Sequence, residues 1–208
     1  MRLISFFRNT SALVFGLVLT TVLPVFIVVP GIIHQFTMPK AVLFFIMVDL
    51  LLILFLIKKQ GFSKALLKSP LVLLLFSILA LQILSGVWGE FFMRSLLGTS
   101  TRMTGILASI QFLLFFLLSS SILTRDLWKK ILKILVVLSI PIALLTGTQF
   151  FFPGFFDVVG DREMGGIFGN KAFVGYFFLY ALFFSLWLRK VAETAFERQY
   201  YNGVFALL

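Results

Sequence analysis

The residues with the clearest chemical potential lie in a glycine-rich stretch, GDREMGGIFGNKAF, at positions 160–173. Arg162 and Lys171 bracket Gly169 and Asn170 there, directly before a long apolar run. An arginine fork and a lysine ammonium both bind phosphate oxygens, and glycines let backbone N–H groups approach an anion closely. A cation at the start of a helix is unfavourable unless an anion binds there. The stretch therefore predicts a site for a phosphate-like anion.

A second stretch, WGEFFMRSLLGTSTRMTG at 88–105, adds Arg94 and Arg102 to this set of cations. A structural interpretation competes with binding, because an arginine beside an apolar segment commonly reaches lipid headgroups and does nothing else. The acidic residues near Arg162 also leave simple charge neutralisation open.

Asp49 is the one carboxylate placed inside an apolar run, LFFIMVDLLLILF. A charge at the centre of a membrane helix costs about 2.5–3.5 kcal/mol on insertion scales, so we expect it to face other helices and find a partner. A protonated carboxyl, a pair with an arginine and a purely structural contact all remain open. Gln82 and Gln111, also inside apolar runs, are expected to form hydrogen bonds between helices.

Several classes of site are disfavoured by the residue types available. The glycines at 165, 166 and 169 follow no strand, so a dinucleotide fingerprint fails on its context. The chain has no cysteine and a single histidine, His34, without a metal-ligand spacing around it. We therefore predict no metal and no cofactor.

Composition identifies the setting of these residues as a membrane. The chain has 208 residues, 61% hydrophobic and 12% charged, whereas soluble domains are nearer half apolar and a quarter charged. Its net charge of +10 is spread in short tracts between apolar runs, which is typical of membrane loops and not of nucleic-acid binding. The prediction is an all-α, polytopic helix bundle of about six spans plus the start of a seventh near 204, forming one transmembrane domain over 1–208. The predicted spans are 11–33, 41–57, 70–87, 105–123, 132–152 and 172–188.

The basic residues also predict an orientation. A cytoplasmic N-terminus puts most of the 18 basic residues in inner segments, as the positive-inside rule requires. The loops 34–40, 88–104 and 153–171 then face outward. The outer basic residues are Lys40, Arg94, Arg102, Arg162 and Lys171.

Three stretches resemble the O-antigen ligase and O-antigen polymerase family. FGNKAFVGYFFLYALFF resembles its FGNPN-hydrophobic-GY signature, SGVWGEFFMRSLLGTSTRMTG is similar to its S-x-x-W-G-S-x-x-R-x-x-G stretch, and FTMPKAVLFF is similar to its early T-P-K. Lys171 stands where the family often has proline. Arg102 and Gly105 are the better match to the family's Arg and Gly, and Arg94 is extra.

The resemblance implies a glycosyltransferase at the outer face of the bacterial cytoplasmic membrane. Its donor would be a lipid-linked oligosaccharide on a polyprenyl diphosphate, and its acceptor a glycan or lipid. It implies catalytic roles for Arg102 and Arg162. Diphosphate binding would fall to Arg94, Gly169, Asn170 and Lys171, with Asp49 as an intramembrane polar candidate.

The resemblance covers only the front part of such a protein, so we expect 1–208 to be the N-terminal part of a longer enzyme. His34 does not match the family's histidine in position, and without a general base this part is expected to be inactive alone. The alternatives are a transporter or flippase subunit for a lipid-linked or anionic solute, marked by paired broken helices, and a non-catalytic membrane scaffold.

Overall fold

A computed structural model describes residues 12–29, 36–99, 103–152 and 165–208, and within these ranges every regular element is helical. Residue contacts divide the chain into two compact units, Met1–Leu123 and Thr124–Leu208. The helices of the first unit are α1 (Ala12–Phe26), α2 (Thr37–Ile57), α3 (Lys64–Leu67), α4 (Pro70–Val87), α5 (Phe92–Leu97) and α6 (Ile106–Ile122). Those of the second are α7 (Arg125–Phe151), a 3₁₀ turn (Gly166–Phe168), α8 (Lys171–Lys190) and α9 (Ala195–Leu207).

The predicted all-α class is confirmed over the described residues, and the helix lengths indicate a membrane protein. Four helices are long and apolar enough to cross a bilayer: α2, α4, α7 as far as Gln149, and α8. The remaining apolar helices that match predicted spans, α1 and α6, have 15 and 17 residues. The predicted count of six spans and the cytoplasmic N-terminus stay predictions.

Two predicted spans have different ends in the structure, and local chemistry explains both. α1 ends at Phe26 and residues 27–29 are not helical, because the residue preceding Pro30 is biased towards extended conformations. α7 begins at Arg125, seven residues before the predicted start at 132. Thr124 caps it by accepting the Leu127 N–H at 3.4 Å, and Asp126 in its first turn favours the positive end of the helix.

The last helix also begins before the apolar run that predicted it. α9 starts at Ala195, where Thr194 Oγ1 accepts the Glu197 N–H at 3.1 Å. Glu197 Oε2 in turn accepts the Glu193 N–H at 3.2 Å, so one carboxylate helps to close the turn before the helix. Capping by polar side chains therefore fixes this start, and hydropathy alone misses it.

In the first unit α2 packs against α1 and α6, and α4 packs against α6. Val72 of α4 packs with Leu113 and Leu117 of α6 in a buried cluster. On the other side, a side chain at Gly16 of α1 would come within 3.2 Å of Leu51, so the missing Cβ lets α1 approach α2 closely.

In the second unit, α9 is held against α7 and α8 mainly by apolar contact. Val136, Leu188, Tyr201 and Val204 form one buried cluster, and each such side chain contributes about 1.5–3 kcal/mol on burial. Lys133 Nζ also lies 2.7 Å from Glu197 Oε1, but the side chains are 43% and 32% exposed.

An ion pair this exposed contributes only about 0–1 kcal/mol, so the apolar cluster is the larger effect. The hydrogen bond from Lys133 lowers the pKa of Glu197. The contribution of the pair is therefore present above the ordinary carboxyl pKa and is lost as the pH falls through the lowered value.

Candidate functional site

The glycine-rich stretch folds into a tight turn that delivers the chain into α8. The Phe168 N–H donates to the Gly165 carbonyl at 2.9 Å, which closes a single 3₁₀ turn over Gly166–Phe168. Gly169 follows in the left-handed region with φ of 66°, and Asn170 then returns to extended backbone as the N-cap of α8. The stretch therefore forms a defined turn that leads into the N-cap of α8.

The glycines are required by this turn itself. A Cβ at Gly165 would lie 2.5 Å from the Gly169 carbonyl carbon and 2.6 Å from the Asn170 nitrogen, so the backbone would have to move. Gly166 has φ of 50°, and a Cβ there would meet Thr146 Oγ1 of α7 at 2.9 Å. The close approaches are to the chain's own backbone and to α7, which the sequence alone did not predict.

Gln149 and Thr146 of α7 are site residues that sequence reasoning missed. The Gly166 N–H donates to Gln149 Oε1 at 2.8 Å, which joins the turn to the end of α7. The available signal was a polar residue, Gln149, near the end of a long apolar helix. This hydrogen bond fixes the turn on one face of the α7–α8 pair.

The residues at the start of α8, Gly169, Asn170 and Lys171, have different roles. Asn170 Oδ1 accepts the Ala172 N–H at 2.8 Å, and the Asn170 carbonyl accepts the Phe173 N–H at 3.1 Å. Its side-chain oxygen is therefore engaged in capping. Lys171 is the first helical residue and is exposed, so its ammonium lies beside the positive end of a 20-residue helix. Gly169 contributes conformation and has no side chain to offer a ligand.

Arg94 belongs to the first unit, where it is exposed on the short helix α5. Its carbonyl accepts the Gly98 N–H at 2.9 Å, and Gly98 then turns the chain with φ of 80°. The two predicted catalytic arginines, Arg102 and Arg162, lie outside the described residues, as does His34.

Asp49 finds a partner on a neighbouring helix, which is the structural contact that the sequence left open, but Asp49 does not lie in the interior. Gln111 Nε2 of α6 donates to Asp49 Oδ1 at 3.0 Å, which confirms the expected interhelical role of Gln111. Gln111 is only 6% exposed, whereas Asp49 lies in the exposed class, so the expectation that the carboxylate faces inward is wrong. The reason is register, because α2 presents Val48 and Leu51 to its neighbours and leaves Asp49 at the rim. Gln82 is exposed on α4.

Lys40, one of the predicted outer cations, has a structural contact. Its Nζ donates to the Val25 carbonyl near the end of α1. A lysine that satisfies a carbonyl of a helix's last turn also complements the negative end of that helix. Lys40 thereby connects the end of α1 to the start of α2.

No family model, curated protein or solved structure matches this chain. The resemblance to O-antigen ligases and polymerases therefore rests on the quoted motifs and stays a prediction. In the part of the chain that the structure describes, no group of three His, Cys, Asp or Glu side chains is placed to hold a metal ion.

Two matched glycine substitutions test whether the close backbone contacts of the turn limit the stability of the second unit. Gly165→Ala forces backbone atoms apart and should destabilise the second unit by about 1–3 kcal/mol. Gly175→Ala, inside α8 with nothing within 4 Å of the new Cβ, should be neutral or slightly stabilising. Thermal unfolding of both variants in detergent micelles, followed by circular dichroism, measures the difference. Equal melting temperatures would show that the close approach at Gly165 is not a constraint.

The Asp49–Gln111 contact predicts a coupling between two substitutions. Gln111→Leu should cost about 1–3 kcal/mol, because it leaves a lipid-facing carboxylate without its donor. Gln82→Leu serves as the control and should cost nothing. In an Asp49→Leu background, Gln111→Leu should lose most of its effect. Additive effects in detergent-solubilised protein would mean that the hydrogen bond does not stabilise the helix pair.

Proposed function

We propose that this chain is the membrane part of a glycosyltransferase of the O-antigen ligase and polymerase type, in the bacterial cytoplasmic membrane. It takes a glycan from a polyprenyl diphosphate carrier at the outer face and transfers it to a glycan or lipid acceptor. The observation that carries the proposal is the turn Gly165–Asn170, which presents Lys171 and the positive end of α8 at one end of a candidate span.

The transfer reaction needs positive charge beside the diphosphate that leaves. The acceptor hydroxyl oxygen forms a bond to the anomeric carbon while the bond from that carbon to the diphosphate oxygen breaks. The diphosphate leaves with the bonding electron pair, and cations or helix N-termini stabilise the charge that develops on it. Lys171 and the start of α8 supply such a field. Arg102 and Arg162 are the residues we assign to the leaving diphosphate.

The depth of this arrangement suits a lipid-linked substrate. α8 has 20 residues and is about 30 Å long, which equals the thickness of the hydrocarbon layer. Its first residue, Lys171, therefore lies at a boundary of that layer, where the diphosphate of a polyprenyl carrier also resides. The hydroxyl proton must pass to a general base, and we assign no residue of 1–208 to that role.

The transporter alternative has less support. That hypothesis requires discontinuous helices, with Pro24, Pro30 and Pro141 as the candidates for the breaks. α1 continues through Pro24 and α7 continues through Pro141. Two of the three candidate breaks are therefore absent, and Pro30 lies outside the described residues.

Arg102→Ala, introduced into the gene in its source organism, should abolish the ladder of surface glycan while leaving the protein inserted in the membrane. Loss of one positioned donor to a developing negative charge lowers turnover by about 100-fold or more. Lys171→Ala should reduce transfer less, because the helix end and the arginines remain.

The control is Lys64→Ala, which removes a cation from α3, in a segment predicted to be cytoplasmic. Glycan ladders are read on gels and membrane abundance by immunoblotting. A normal ladder from Arg102→Ala at normal abundance would remove Arg102 from the mechanism.

A further inference from the structure

The segment Trp88–Leu97, between α4 and α6, carries large apolar side chains on its outside. Trp88 is 80% exposed, Phe91 67% and Met93 69%. Exposed apolar residues on α2, α4, α7 or α8 are expected where a span meets lipid. This segment belongs to none of these spans, so its exposed side chains need a different explanation.

One side of the segment packs closely against the neighbouring helices. A Cβ at Gly86 would lie 3.2 Å from the Ser95 Cβ and 2.8 Å from Ile106 Cδ1, so α5 folds tightly against the end of α4 and the start of α6. Gly98 packs against the Thr104 nitrogen, where a Cβ would lie 2.6 Å away. Ser95 and Leu96 are the less exposed residues of α5, whereas the large apolar side chains of Phe92, Met93 and Leu97 are exposed, which is the reverse of a loop that faces water.

The depth of the segment follows from the helix before it. α4 has 18 residues and is about 27 Å long, so it uses nearly the whole hydrocarbon layer. Trp88 is its C-cap, and the chain re-enters with α6 at Ile106. The segment between them must therefore lie at the boundary where α4 ends. Tryptophan prefers this depth because its ring is apolar and its N–H is polar.

The charged residues of the segment fit the same boundary. Arg94 and Glu90 are both exposed, and they fall among the apolar residues in sequence. An arginine at this depth extends its apolar stem along lipid and places its guanidinium on phosphate oxygens. Because one positive and one negative charge cancel, the apolar side chains and not the net charge decide where the segment lies.

We propose that Trp88–Leu97 is an interfacial anchor, embedded in the headgroup region of the bilayer at the end of α4. Trp88, Phe91 and Met93 insert at the acyl-chain boundary, and Arg94 binds lipid phosphate. The partner is bulk phospholipid. The proposal does not rest on the glycosyltransferase function.

The absence of native cysteine allows a direct test of depth. Met93→Cys reports on the segment, Ile78→Cys in the middle of α4 is the hydrocarbon control, and Gln60→Cys between α2 and α3 is the aqueous control. Each variant of the full chain is labelled with a nitroxide and reconstituted in phosphatidylcholine vesicles. Collision rates with oxygen, which concentrates in lipid, and with a water-soluble nickel chelate give the depth of each label.

The anchor predicts an oxygen-to-nickel collision ratio at Met93 several-fold above that at Gln60 and below that at Ile78. It also predicts little change when phosphatidylglycerol replaces half of the phosphatidylcholine, since the segment has no net charge. A ratio at Met93 equal to that at Gln60 would place the segment in water and overturn the proposal. Low collision with both reagents would mean that protein covers the segment, which also overturns it.

Discussion

The hydrocarbon layer is the constraint on which the rest of this structure depends. A backbone N–H or carbonyl in lipid has no water to bond, so the chain satisfies these groups within helices. Irregular backbone among the described residues then lies at the ends of helices, where polar surroundings are available. The same constraint places most charged side chains near helix ends, because a charge within the layer is costly, and Asp49 is the exception.

Small residues and side-chain caps decide how the helices begin and end. Asn170 starts α8, Thr124 starts α7, and Ser69 starts α4 by accepting the Val72 N–H at 3.3 Å. Glycines let the chain fold back on itself at Gly98 and Gly165, where any side chain would meet backbone atoms. These side-chain caps and close glycine contacts hold Lys171 at the start of α8 and Arg94 on α5.

Much of the fold follows from hydropathy, whereas the details of the site do not. Apolar runs predicted the positions of α2, α4 and α8 closely, since helix length and lipid thickness are matched. The starts of α7 and α9 were missed because polar caps at Thr124 and Thr194 precede the apolar residues.

The sequence drew attention to the glycines before α8. A glycine is needed at position 165 because Gly165 approaches Gly169 closely, and only three-dimensional contacts reveal this approach. Asp49 was expected to face inward, but helix rotation and register are set by packing.

The most direct test of the account is the side of the membrane on which Glu90 and Phe152 lie. Single cysteines at Glu90 and Phe152 should react with an impermeant maleimide in intact cells, and those at Gln60 and Glu193 only after permeabilisation. Labelling of Glu90 and Phe152 from opposite sides would contradict a shared outer functional face.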